Sequence, residues 1–218
     1  MNRAPNFNRL ARIYRWLELF TFGPMLARCR LAFLEDLRTR RNALVLGDGD
    51  GRFTARLLAE NPGVLIDAVD ASHAMLRALV RNAGANADRV RTHQADIREF
   101  EPANPPYDFV ATHFFLDCLS TREVAALAHR LRGLVTPQAY WVVSEFAIPK
   151  SWFGKRIARP MVALLYRAFR LLTGLKQSSL PDHRNALTEA GFQLVRQHNT
   201  FGGLLIGEIW SPPTQDES

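Results

Sequence analysis

The residues best suited to chemistry stand in a few short stretches. Gly47, Gly49 and Gly51 alternate with Asp48 and Asp50 in "VLGDGDGRF". Asp70 closes the apolar run "GVLIDAVD", 19 residues after Gly51, and Asp96 stands in "QADI". Thr112, His113 and Asp117 lie in "THFFLDCL", Glu145 in "SEF", and Tyr14 near the start. Glycine inside an element costs about 0.5–1 kcal/mol relative to alanine. Three of them in five positions therefore imply a turn with unusual dihedrals, or a backbone that a ligand must approach closely. Between a strand and a helix, such a turn also meets the unpaired N–H groups and positive dipole of the helix start. An acid at the tip of the next strand can accept both hydroxyls of a ribose. A carboxylate or amide around Asp96 can meet an adenine edge.

That chemistry needs strands and helices in a particular order. "ALVLG" (43–47) reads as a buried strand and "RFTARLLAE" (52–60) as a helix with Phe53, Leu57 and Leu58 on one side. "GVLIDAVD" (63–70) is a second strand, and Ser72 caps a helix over "HAMLRALVRNA" (73–83). Strands follow over 89–96 and 107–115. Ser120 and Glu123 then form a capping-box pattern that opens a helix over 120–134. A strand over 139–146 and a helix over 180–192, closed by Gly191, come next. The last two runs, "FQLVRQHNTFG" and "LLIGEIW", have only a turn at Gly202 and Gly203 between them, so they pair antiparallel. Strands alternating with helices predict βαβ units, an α/β class and a mostly parallel sheet.

Bulk properties narrow the classes. A chain of 218 residues with 47% hydrophobic content can bury one domain's core. Cys29 and Cys118 make no disulfide framework, and no metal-ligand spacing occurs, so no metal is expected and a reducing, cytoplasmic setting is. The net charge of +7 is concentrated in two segments. Residues 1–42 hold nine arginines against three acids, and residues 150–176 hold seven basic residues and no acid. In the second, Arg156, Arg159, Arg167 and Arg170 form one stripe and Ile157, Met161, Leu164, Leu165 and Leu172 another. This pattern suits either a basic amphipathic lid that meets an anionic membrane surface or a core helix with a solvated arginine face. Leu10, Ile13, Tyr14 and Leu17 make a similar stripe at the start. No aromatic platform is interleaved with the basic residues, which argues against RNA.

"VLGDGDGRF", "AVDAS", "QADI" and "YDFVATHFFLDCL", in this order and spacing, resemble the class I S-adenosylmethionine-dependent methyltransferases. The resemblance covers residues 43–146. It implies a Rossmann-like, doubly wound, seven-stranded sheet, mostly parallel with an antiparallel last strand. One methyltransferase domain then has an N-terminal helical cover (1–42), a cofactor-binding core (43–149) and a basic helical lid (150–180). A last helix and strand pair (181–211) and a loose tail (212–218) complete it. The cofactor implied is S-adenosyl-L-methionine. Gly47, Asp48, Gly49 and Gly51 would line its methionine part, and Asp70 would bind ribose. Ala71 and Met75 would flank the adenine, Asp96 and Ile97 would contact it, and Thr112 and His113 would sit beside the sulfonium. The chain departs from the family at Val45, where an acid is usual, and at "TPQAY", where Pro-Gly-Gly is usual; Asp48 or Asp50 could supply the missing charge. "FNRLARIYRWLELFTFG", "SEFAIP" and "TFGGLLIGEIW" resemble, more narrowly, the ubiquinone and menaquinone C-methyltransferases.

Methyl transfer from a sulfonium requires alignment and a dry pocket, and a base only where the acceptor must lose a proton. His113 is the first candidate base, since a free imidazole titrates near 6.5; its other reading is a pocket wall. Asp117 could orient His113, take the proton or cap a short helix. Tyr14 is a third catalytic candidate, or core. Glu145 could hold the acceptor or pair with an arginine. The expected acceptor is small and hydrophobic, a quinone precursor or lipid-like molecule. Rival readings are an RNA methyltransferase, against which this chain has "THFF" after its fourth strand in place of the "NPPY"-like signature used on flipped bases, a non-catalytic cofactor-binding protein and an NAD enzyme.

Overall fold

The computed structural model describes residues 23–149 and 180–213. In chain order its helices and strands are α1 (Gly23–Arg30), β1 (Asn42–Leu46), α2 (Arg52–Glu60), β2 (Leu65–Asp70), α3 (His73–Ala83), β3 (Val90–Gln94) and β4 (Tyr107–His113). They continue with α4 (Thr121–Arg132), β5 (Val135–Phe146), α5 (His183–Glu189), β6 (Gln193–Thr200) and β7 (Leu205–Ser211). The expected cover residues 1–22, with Tyr14, and the lid over 150–179 lie outside the described residues.

The seven strands form one sheet in the order β3-β2-β1-β4-β5-β7-β6. β1 to β5 run parallel, and β7 lies antiparallel between β5 and β6. The chain winds outward from β1 to β3, then returns to place β4 on the other side of β1. That reversal opens a crevice at the carboxyl ends of β1 and β4, where open α/β sheets bind ligands.

Both faces are covered, so the central strands are apolar almost throughout. On one face Leu127 and Leu131 of α4 and Leu187 of α5 pack against Val110 and Trp141. On the other Phe53, Leu57 and Leu58 of α2 and Leu79 of α3 pack against Val45, Ile66 and Phe109. A smaller cluster of Leu26, Cys29, Phe114, Leu204 and Leu205 sits at the carboxyl edge and seats α1. Gly207 permits this seating: a Cβ there would come within 3.3 Å of the Phe33 ring.

Local chemistry sets the helix starts. The Ser72 hydroxyl accepts from the Met75 N–H at 3.4 Å. The Ser120 hydroxyl accepts from the Glu123 N–H, and Glu123 accepts from the Ser120 N–H at 2.7 Å. β5 begins at Val135, four residues before the expected start. Pro137, without an N–H, reads as a strand breaker. Here the register on β4 shifts between Tyr107 and Phe109, and the irregularity absorbs it.

Candidate functional site

β1 ends at Leu46, and the Gly47 N–H turns back to the Val69 carbonyl on β2 at 2.9 Å. Gly47, Gly49 and Gly51 have φ of +66°, +61° and +79°, the left-handed region that side chains disfavour. Their surroundings differ. A Cβ on Gly47 would fall 2.2 Å from the Phe115 ring, and one on Gly51 would fall 2.7 Å from the Leu79 backbone. A Cβ on Gly49 would meet no atom within 4 Å. The outer glycines thus let the segment after β4 and helix α3 close in, while the side-chain position of Gly49 is open and its N–H turns to the Asp70 carboxylate.

Two carboxylates flank this turn. Asp48 Oδ2 accepts from the Thr54 N–H at 2.8 Å and so caps α2, since Gly51, the residue just before the helix, has no side chain to do it. Asp48 Oδ1 is buried without a hydrogen bond. Burial pushes the Asp48 carboxyl up to about 6, against the opposing pull of the Thr54 N–H and Arg30. Asp70, at the tip of β2, accepts from the Ser72 N–H at 2.7 Å. Burial pushes it up to about 6 as well; the Ser72 N–H opposes this and the charge of Asp48 adds to it.

Around these acids, Ala71 is exposed and Met75 half-buried at the first turn of α3. Asp96 lies further along the edge. Its carboxylate is engaged by the Arg98 guanidinium at 3.0 and 3.2 Å and by the Arg98 N–H at 2.9 Å. Ile97 is buried in the α4 face of the core, its carbonyl accepting from Arg130.

The end of β4 divides between the faces. Thr112 points to the α4 side, where its hydroxyl accepts from the Trp141 indole N–H at 3.0 Å. His113 points to the α2 side, its ring 4.2 Å from that of Phe53. His113 Nδ1 lies 2.8 Å from the Ser144 hydroxyl, and Nε2 is buried without a hydrogen bond. Burial, then Arg30, pushes the imidazole down to about 3, so it is neutral at physiological pH.

Phe114 follows with φ of +53°, a conformation that costs a bulky residue about 1–2 kcal/mol. It is held by its N–H on the Ser144 carbonyl at 2.7 Å and by its ring against Phe146. The Arg30 guanidinium lies 5.3 Å from the Phe114 ring centre. Glu145 then clamps the loop: one carboxylate oxygen accepts from the Phe115 and Leu116 N–H groups at 3.1 and 2.7 Å. Its other oxygen is buried without a hydrogen bond, and burial with the charge of Asp117 pushes the carboxyl well up. Asp117 itself accepts from the Cys118 thiol at 3.6 Å.

The fold therefore gathers the glycine turn, Asp48, Asp70, Ala71, Met75 and His113 at the carboxyl ends of β1, β2 and β4. Asp96 is tied to Arg98, and the Thr112 side chain is turned into the core. Arg30 joins the site from outside every motif, and Phe53, Phe115 and Ser144 stand in the quoted stretches without having been given a role in it; only the polar Ser144 inside the apolar run "WVVSEF" hinted at one. Buried polar atoms are normally satisfied. Asp48 Oδ1, His113 Nε2 and Glu145 Oε2 are not, and all three sit at this edge.

Residues 44–140 match a family described as a methyltransferase domain. No curated protein matches the sequence. Solved structures share the fold. An O-methyltransferase family protein from Burkholderia thailandensis superposes with a TM-score of 0.72 at 16% identity, over 97% of this chain and 62% of that one. The mitomycin 7-O-methyltransferase MmcR gives 0.69 at 17%, over 86% and 54%. CalO1, a methyltransferase of calicheamicin biosynthesis in its SAH-bound form, gives 0.65 at 16%, over 95% and 60%. The chain thus spans just over half to under two thirds of the length of these proteins.

Proposed function

We propose that this chain is a class I S-adenosylmethionine-dependent methyltransferase acting on a small, largely hydrophobic acceptor. The observation that carries the reading is the open side-chain position of Gly49 after β1, beside the Asp70 carboxylate at the tip of β2. The match of residues 44–140 and the strand order support it.

The residues fit the cofactor's chemistry. Asp70 would accept ribose hydroxyls, and the glycine turn leaves room for a nucleoside to lie on main chain. Ala71 and Met75 stand where a base would be flanked. Once bound, S-adenosylmethionine supplies a methyl group already activated by its sulfonium. His113 has one role in this reading. The Ser144 hydroxyl donates onward to the Cys29 carbonyl at 3.5 Å, which makes Nδ1–H the donor to Ser144 and leaves the free lone pair on Nε2, on a ring kept neutral by burial. Such a weak base takes a proton only from an oxygen made strongly acidic as the methyl arrives. Phe114, Phe146 and Leu26 at the same edge exclude water.

The narrower likeness to quinone C-methyltransferases gains no support from the solved structures described above, two of which are named as O-methyltransferases. Oxygen is therefore the proposed accepting atom. Among the described residues no helix is long and apolar enough to cross a membrane. Cytoplasmic placement, with peripheral contact through the basic segments, belongs to the same proposal.

Calorimetry with S-adenosylhomocysteine tests the reading. One site per chain is expected, and Asp70→Ala weakens it about tenfold or more, since a charged acceptor is lost. Absence of binding overturns the proposal. Binding without methylation of any hydroxyl-bearing aromatic in a broad panel points instead to a non-catalytic cofactor-binding protein. Binding of a nicotinamide nucleotide in its place points to an NAD enzyme.

A further inference from the structure

We infer that Asp48 receives the ammonium group at the amino-acid end of the cofactor, so that the anionic contact has moved three residues along the turn from Val45. This rests on the cofactor reading above. Val45 cannot serve: it is packed in the α2 face of the core with Phe53 and Phe109. The other acids of the turn are engaged. Asp50 accepts from Arg52 Nε at 3.1 Å, and Asp70 is held by the Ser72 N–H.

Asp48 differs from both. Its Oδ2 is pinned by the Thr54 N–H, which fixes the carboxylate plane between two left-handed glycines. Oδ1 is left buried with no hydrogen bond. The Thr54 hydroxyl lies near enough to Asp48 to favour the anion, but its geometry completes no hydrogen bond. The charges that act on Asp48 are Arg30, Asp50 and, from the tip of β2, Asp70. Arg52 is spent on Asp50, so Asp48 and Asp70 share Arg30 alone and the turn is short of positive charge. An amino-acid zwitterion meets that need, with its ammonium on Asp48 and its carboxylate toward Arg30.

The arrangement links binding to protons. Asp48 sits near 6 in the free protein, and an ammonium beside it favours the anion. Affinity for a ligand carrying that group should fall as pH drops through about 6. Asp70 titrates in the same range, but it faces the ribose, which any adenosine ligand carries.

Two probes separate these effects. S-adenosylhomocysteine carries the amino acid; 5′-methylthioadenosine keeps the adenosine and thioether and lacks it. Both are titrated calorimetrically into the wild type, Asp48→Asn and Asp48→Ser at pH 7.5. Asparagine and serine each retain an oxygen that can cap Thr54, and melting curves report that the variants are folded. The expected result is a loss of about tenfold or more for S-adenosylhomocysteine, with methylthioadenosine changed less than about twofold. Unchanged affinity for S-adenosylhomocysteine overturns the inference. So does an equal loss for both ligands, which would make Asp48 a shaper of the turn alone. A wild type that binds neither probe sinks the cofactor reading, and this inference with it. A wild type that binds both, with both Asp48 variants losing neither, sinks only this one.

Discussion

His113 on β4 and Ser144 on β5 are register partners across parallel strands, and their side chains join at 2.8 Å between Nδ1 and Oγ. The bond sets which nitrogen of His113 stays open. Ser144→Ala leaves Nδ1 buried and unpaired, which should cost about 1–2 kcal/mol of stability, read from urea unfolding. Ser144→Thr should recover most of it. A loss below a few tenths of a kcal/mol would mean that the contact does not hold the ring.

The burial of His113 also predicts an acid-side loss. Its pKa is lowered to about 3 in the folded protein from about 6.5 when free. Below pH 6.5 the unfolded chain binds a proton that the folded one refuses. Stability is thus complete above about 6.5 and declines as pH falls toward 3, by up to about 1.4 kcal/mol per unit. His113→Gln cannot titrate. The stability difference between wild type and variant should therefore change with that slope between pH 6 and 4. Parallel curves would show that His113 titrates normally.

Helix limits were open to reading because their causes are local. The predicted helices over 52–60 and 73–83 are those observed, since a left-handed Gly51 and a capping Ser72 act within a few residues. The glycine turn and Asp70 were legible for a similar reason, as each lies at the end of an apolar run. The pairing of His113 with Ser144 was not, because register joins residues 31 apart and no local pattern encodes it. Nor was the φ of +53° at Phe114, a bulky residue in a conformation that glycine or asparagine usually marks. It is imposed by strand β5 and by the nest that Glu145 closes.

Asp48 and Asp70 predict the opposite pH trend from His113. Both are raised to about 6, so between pH 4 and 6 the folded protein holds protons that the unfolded chain releases. Stability from these groups is highest below about 4 and falls as pH rises to 6. Asp48→Asn removes the buried anion while keeping an oxygen for the Thr54 N–H. Without ligand it should be more stable than wild type at pH 7.5, by about 1–3 kcal/mol, and the gain should fade as pH approaches 4. A thermal melt series across that range checks it. A gain that does not vary with pH would point to helix capping rather than charge. A residue that costs stability in the free protein fits a ligand contact.

The three glycines should separate folding from binding when each is replaced by alanine. At Gly49 the new methyl meets nothing within 4 Å, so the penalty is the left-handed backbone alone, about 1 kcal/mol. At Gly47 the same backbone penalty is joined by a methyl 2.2 Å from Cδ2 of Phe115. That ring cannot simply move away, since Glu145 holds the Phe115 N–H and Phe114 is locked against Phe146. Gly47→Ala should therefore lose about 2 kcal/mol more than Gly49→Ala in denaturant unfolding. Binding should rank the other way among folded proteins. Gly49→Ala puts a methyl where the ligand must rest, and it should weaken S-adenosylhomocysteine about tenfold or more while melting within a few degrees of wild type. Full affinity in a folded Gly49→Ala protein would mean that the ligand does not lie on this backbone.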